Sequence, residues 1–178
     1  PARMESSRFP GKPLKKINGI PMIERVYKNV KKTKILFDTV VATCNKEIHN
    51  HILSIKGKSI MTSSKHNRAS ERCAEALIKY EKNHNCKIDV VLLVQGDEPM
   101  IDSKMIAKSL NPFLINSNIL CVNLVGKIQN KQEFNDPNCI KVVSDKNSNA
   151  IYFSRLPIPF NNKFDQKVVQ KQVCAIPF

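Results

Sequence analysis

The segment Val90–Met100, VVLLVQGDEPM, constrains the fold of this chain more than any other. Five consecutive apolar residues, Val90 to Val94, read as a strand buried on both faces, the pattern of a central strand in a parallel α/β sheet. The run breaks into Gln95-Gly96-Asp97-Glu98-Pro99. Gly96 lets the backbone turn or approach a ligand closely, and Pro99 ends the strand. An amide and two carboxylates thus stand at the carboxyl end of a core strand, where open α/β sheets bind their ligands. The plainer reading is that these carboxylates cap the helix that follows. The rest of the chain decides between the two.

Pro1–Leu14, PARMESSRFPGKPL, has three prolines and a glycine, which exclude helix and strand and predict a structured loop. It gathers Arg3, Arg8 and Lys12 with Ser6 and Ser7, cations and hydroxyls suited to a polyphosphate. No GxxxxGK[ST] pattern occurs, so a P-loop nucleotidase is not supported. Phosphate loops normally follow a strand, and the expectation is that a first strand is missing ahead of Pro1.

Further along, Pro21 is expected at the first helical position of an amphipathic helix reaching about Lys32. Thr39–Thr43 reads as a buried strand, Lys46–Ile55 as a helix and Ser59–Thr62 as a short strand. Met61–Arg72, MTSSKHNRASER, brings hydroxyls, His66, Arg68 and Arg72 to the start of a helix ending near Asn83. A helix N-terminus favours anions, although Ser70 and Glu71 also suit plain capping. His66 has no partner visible in the sequence and is read as a solvent-facing loop residue. A helix over Ser103–Ile115 and strands over Ile119–Val125, Asp136–Val143 and Ala150–Pro159 follow, the last ending beside Arg155. Lys171–Phe178 is expected to be an apolar strand without cover. This alternation predicts a three-layer α/β/α sandwich with a mixed, mostly parallel sheet. Residues 1–178 are expected to form one domain, truncated at both ends.

The net charge of +14 raises nucleic acid as a partner. Its distribution argues against one: 23 of the 29 basic residues are lysines scattered along the chain, whereas five of the six arginines (3, 8, 68, 72, 155) sit in the motif-like segments. Arginine's rigid fork suits phosphate and carboxylate. The six cysteines show no zinc spacing and are read as buried thiols without a catalytic role. His49 and His51, two apart on a helix, make a poor metal pair.

With PARMESSRFPGKPL, QGDEPMI and AIYFSRLPIP in view, the chain resembles the 3-deoxy-manno-octulosonate cytidylyltransferases (CMP-Kdo synthetases) from Pro1 to about Pro159. The resemblance implies a Rossmann-like nucleotidyltransferase, a cytoplasmic homodimer, that joins CTP to the acid sugar Kdo for lipopolysaccharide and releases pyrophosphate. It implies that Arg3, Ser6, Arg8, Lys12 and Arg72 bind the nucleotide, with Arg3, Lys12 and Asp97 catalytic. Asp97 is the implied Mg2+ ligand, and Gln95 and Arg155 face the acid sugar. Neither nucleic acid nor membrane is an implied partner. Two segments depart from the family pattern. His66-Asn67-Arg68-Ala69-Ser70-Glu71-Arg72 stands for His-x-Ser-Gly-Thr-Glu-Arg, and Lys171–Phe178 replaces a strand with a sugar-contacting histidine. Activation of another acid sugar, and nucleotide-sugar binding without catalysis, remain alternatives.

Overall fold

The computed structural model describes residues 1–5, 9–160, 169–173 and 175–177. Two compact units divide the chain: Pro1–Val122 with Ala175–Phe178, and Asn123–Cys174.

In the first unit a 3-10 turn (Lys12–Leu14) follows Gly11, whose φ of 71° suits glycine. Strands β1 (Lys16–Ile17) and β2 (Ile20–Pro21) form a small hairpin. Its turn is Asn18-Gly19, both at positive φ, the residue pair such hairpins favour. Helix α1 (Met22–Lys31) starts one residue after Pro21, which precedes the helix rather than opening it. Its apolar stripe buries Ile23, Val26, Tyr27 and Val30. Strand β3 (Val41–Thr43), helix α2 (Lys46–Ser54), strand β4 (Ser59–Met61) and helix α3 (Ala69–His84) come next. Strand β5 (Leu92–Val94) and helix α4 (Ser103–Ile115) precede the crossing into the second unit.

Strands β3 and β4 pair in parallel. On the other side of β3 lies the backbone of Pro1–Ala2: Ala2 N donates to Ala42 O at 2.9 Å, and Gly96 N donates to Pro1 O at 3.1 Å. The loop therefore begins as a short parallel bridge between β3 and the end of β5. Ile23, Tyr27, Val41, Ile48 and Ile52 close around Ala2 as one apolar cluster. Gly96 is held by this contact, since a Cβ there would lie 2.8 Å from Ile23 Cδ1 and 3.0 Å from Pro1 O. The close approach expected of Gly96 is to the chain's own first residues.

The strands are shorter than the apolar runs that signal them. Thr39, Val40, Val90 and Val91 lie outside β3 and β5 and line an apolar cavity of about 210 Å³ with Ile23, Val26 and Cys73.

The second unit holds β6 (Leu124–Lys127), the short helix α5 (Lys131–Asn135), β7 (Lys141–Ser144), β8 (Ala150–Ser154) and β9 (Gln170–Val173). They form an antiparallel sheet in the order β6-β9-β7-β8. Asn130 caps α5 by accepting from Glu133 N. The apolar run over Lys171–Phe178 is not one uncovered strand. It divides into β9, paired on both sides, and β10 (Ala175–Pro177), which pairs antiparallel with β5 in the first unit; Cys174 and Phe178 lie outside the described residues. Residues 119–123 are likewise not strand, and β6 begins later than expected. The described cysteines are free, but only Cys73 is buried and Cys121 is exposed, which corrects the reading of all of them as buried. Among the described residues no helix is long and apolar enough to cross a membrane.

Candidate active site

A polar cleft of about 330 Å³ opens in the first unit where the carboxyl ends of β3, β4 and β5 meet the N-terminal loop. Its walls bring together Arg3, Lys12, Arg72, Gln95 and Asp97, five of the residues singled out in the sequence. Ser6 and Arg8 lie outside the described residues. Arg155 belongs to the second unit, where its Nη1 donates to Pro137 O at 2.8 Å.

The two readings of the acidic turn separate cleanly. Helix α4 is capped by Asp102, whose side chain accepts from Met105 N at 2.8 Å. Asp97 is thus free of that task. Its Oδ2 accepts from Lys12 Nζ at 2.7 Å, across 85 residues of sequence. Both side chains are partly exposed, so the pair holds the loop against the strand end without closing the cleft.

Of the cleft's cations Arg72 is the deeply set one, with 3% of its surface exposed. Nη1 donates to Thr62 Oγ1 at 2.6 Å and to Ser63 O at 3.1 Å. Nη2 is buried and has no hydrogen-bond partner among the described residues. A buried donor left unmade is costly, and here it belongs to an arginine on the wall of a basic cleft. An anionic ligand would satisfy it.

His66 is not a solvent-facing loop residue. It lines the cleft, half-buried, and its Nε2 lies 2.5 Å from Glu75 Oε2. Glu75 also accepts from Ser63 N and pairs with Lys79. The bonds from Lys79, Ser63 N and His66 hold its carboxyl down to about 2. Glu71 fills the plainer role expected of it, taking the Asn67 and Arg68 amides at the start of α3. Arg68 and Asn67 complete this wall.

Sequence reasoning missed Asn45 and Thr62. Asn45 stands at the N-cap of α2, two residues after β3, but its side chain makes no capping bond and turns to the N-terminal loop. Oδ1 accepts from Met4 N at 3.0 Å and Nδ2 donates to Glu5 Oε1 at 3.2 Å, which with Arg3 keeps the Glu5 carboxyl below its ordinary range. The available signal was position: Asn45 follows a core strand as Gln95 and Asp97 do. Cys73 lines the apolar cavity rather than the cleft, and burial pushes its thiol up, which removes it as a nucleophile.

One wall of loop cations, one buried arginine and one strand-end carboxylate make an arrangement for binding polyphosphate and stabilising charge. Comparison with known proteins identifies the kind. The cytidylyltransferase family pattern matches residues 1–176. The 3-deoxy-manno-octulosonate cytidylyltransferase of Fusobacterium nucleatum is 42% identical over 163 residues, 92% of this chain and 64% of that protein. The protein of the same name from Thermodesulfovibrio yellowstonii is 41% identical over 165 residues, again 92% of this chain and 64% of the relative. The chain therefore spans just under two thirds of each relative's length. Among solved structures, a CMP:2-keto-3-deoxy-manno-octonic acid synthetase complexed with CTP superposes with a TM-score of 0.89 at 31% identity, covering 99% of this chain and 70% of that one. That likeness bears out the α/β nucleotidyltransferase fold expected from the sequence. A match to the family pattern across nearly every residue, in a fold that presents these cations and this carboxylate on one cleft, means that the chain belongs to the cytidylyltransferase family.

Proposed function

We propose that the protein transfers CMP from CTP to a 3-deoxy-octulosonate-type acid sugar, releasing pyrophosphate. The observation that carries this reading is the cleft itself: Arg72 Nη2, buried with no partner among the described residues, lines it together with Arg3, Lys12 and Asp97. CTP phosphates would enter there, with Arg3, Lys12 and Arg72 balancing their charge and Ser6 and Arg8 belonging to the same loop. The sugar's anomeric hydroxyl attacks the α-phosphorus. The bond to the bridging oxygen breaks, pyrophosphate departs with the electron pair, and the hydroxyl's proton is released to solvent. Such a transfer needs alignment and charge stabilisation more than a covalent nucleophile, which agrees with the inert Cys73.

Asp97 fits a magnesium ion in one respect only: it offers a hard oxygen donor at the open end of a strand. Among the described residues no group of three metal-ligating side chains occurs, so the ion would share Asp97 with the substrate phosphates. When bound it would neutralise developing charge on those oxygens. Lys12 Nζ donates to the same carboxylate.

Gln95, on the cleft wall, and Arg155, in the second unit, are assigned to the acid sugar. A role in lipopolysaccharide synthesis, a cytoplasmic location and a homodimer belong to the same proposal. The exposed Ile151, Tyr152 and Leu156 on and beside β8 favour association. The test is pyrophosphate release by the full-length protein with CTP, UTP or ATP against 3-deoxy-octulosonate, its 8-amino analogue and sialic acid. We expect CTP with 3-deoxy-octulosonate to give the highest kcat/KM. Release with none of the acid sugars would overturn the proposal.

A further inference from the structure

Lys141 opens β7 with no exposed surface, yet it has no carboxylate among its hydrogen-bond partners in the described residues. Its ammonium donates to three backbone carbonyls: Asp136 O at 2.9 Å, Cys139 O at 2.7 Å and Arg155 O. A buried ammonium carries a large desolvation cost, and an apolar side chain of similar volume would fill the same space without it. What lysine alone provides is three donors directed at two separate segments. Asp136 and Cys139 bound a tight turn closed by Cys139 N to Asp136 O at 3.1 Å. Arg155 follows β8, whose Ser154 lies opposite Lys141 in the ladder. Arg155 then returns to the same turn through Nη1 and Pro137 O. Lys141, the turn and Arg155 thus form a closed ring of bonds, from which the exposed Arg155 side chain projects with its path fixed at both ends.

We propose that Lys141 is the positioning residue of Arg155: by fixing the Arg155 carbonyl and the turn that receives its guanidinium, it aims that guanidinium at the carboxylate of the acid sugar. This rests on the assignment of Arg155 to the sugar made above.

The experiment uses the full-length enzyme and the variants Lys141→Met, Lys141→Arg, Arg155→Lys and the double variant K141M/R155K. Steady-state KM for each substrate, kcat and thermal midpoints are measured, with the 15Nε signal of Arg155. Lys141→Met should raise the sugar KM about tenfold or more, the scale of a misplaced binding group, and leave the CTP KM within about twofold. The double variant should be no worse towards sugar than Arg155→Lys alone, because both remove one coupled unit. Lys141→Arg keeps the charge and should recover part of the loss; it serves in place of Lys141→Met should that variant not fold. A lowered thermal midpoint with unchanged sugar KM, or equal rises in both KM values, would show a purely structural lysine and overturn the proposal. If Arg155→Lys itself leaves the sugar KM unchanged, the assignment of Arg155 fails. The clamp is then judged on the Arg155 15Nε shift, which must move in the Lys141 variants if it exists.

Discussion

At the scale of single residues, partners separate side chains that look alike in the sequence. Asp97 and Asp102 share one acidic stretch, but Asp102 caps α4 and Asp97 meets Lys12. The first contact is local and can be read from a capping pattern. The second spans 85 residues and follows only once a strand end is recognised as a binding position. His66 was misread for the same reason, since its partner Glu75 lies two turns into the helix that begins after it. Lys141 was one lysine among 23, with nothing local to mark it as buried. Glu75 gives a direct test of its network. Its carboxyl is held at about 2 in the folded protein, against an ordinary value of 4.5. The ionised form is the one the fold favours, so its contribution is complete above the ordinary value. It is lost as pH falls from there through about 2. Glu75→Gln should therefore lower the urea midpoint at pH 7, with the gap to the parent closing as the acid limb is entered. Equal gaps at every pH would mean that the Glu75 charge is irrelevant to stability.

Elements with a strong period were legible, and those set by neighbours were not. Helix α4 runs over Ser103–Ile115 as its apolar spacing and Asp102 cap require, and α2 ends one residue from expectation. The β1–β2 hairpin was missed although Asn18-Gly19 signals it, because its strands are only two residues long. Strands β3 and β5 were each drawn too long, since apolar runs show what can be buried and not what is paired. Instead Val40 and Val91 line an apolar cavity. The cap of α4 carries the test at this scale: Asp102→Ala removes the acceptor of Met105 N and should lower stability by about 1 kcal/mol, read as a lower urea midpoint. An unchanged midpoint would contradict that role.

For the molecule as a whole, the grouping of polar residues was legible where the architecture was not. Three segments rich in arginine, glycine and proline pointed to a polyphosphate loop and a strand-end carboxylate, and the cleft brings Arg3, Lys12, Arg72, Gln95 and Asp97 together. The division into two units was not legible, because no linker, repeat or change in composition marks it. The antiparallel order β6-β9-β7-β8 depends on pairing distant segments, which a single sequence does not encode locally. The central claim is that the cleft transfers the cytidylyl group with Asp97 as its essential carboxylate. It is tested most directly by measuring pyrophosphate release from CTP and acid sugar by full-length enzyme carrying Asp97→Asn, with the thermal midpoint checked alongside. The account predicts a loss of about a thousandfold or more in kcat, in line with removing a main electrostatic stabiliser of a transition state, and a fold that stays intact because Asp97 is partly exposed. Release at the parent rate from the folded variant would contradict it.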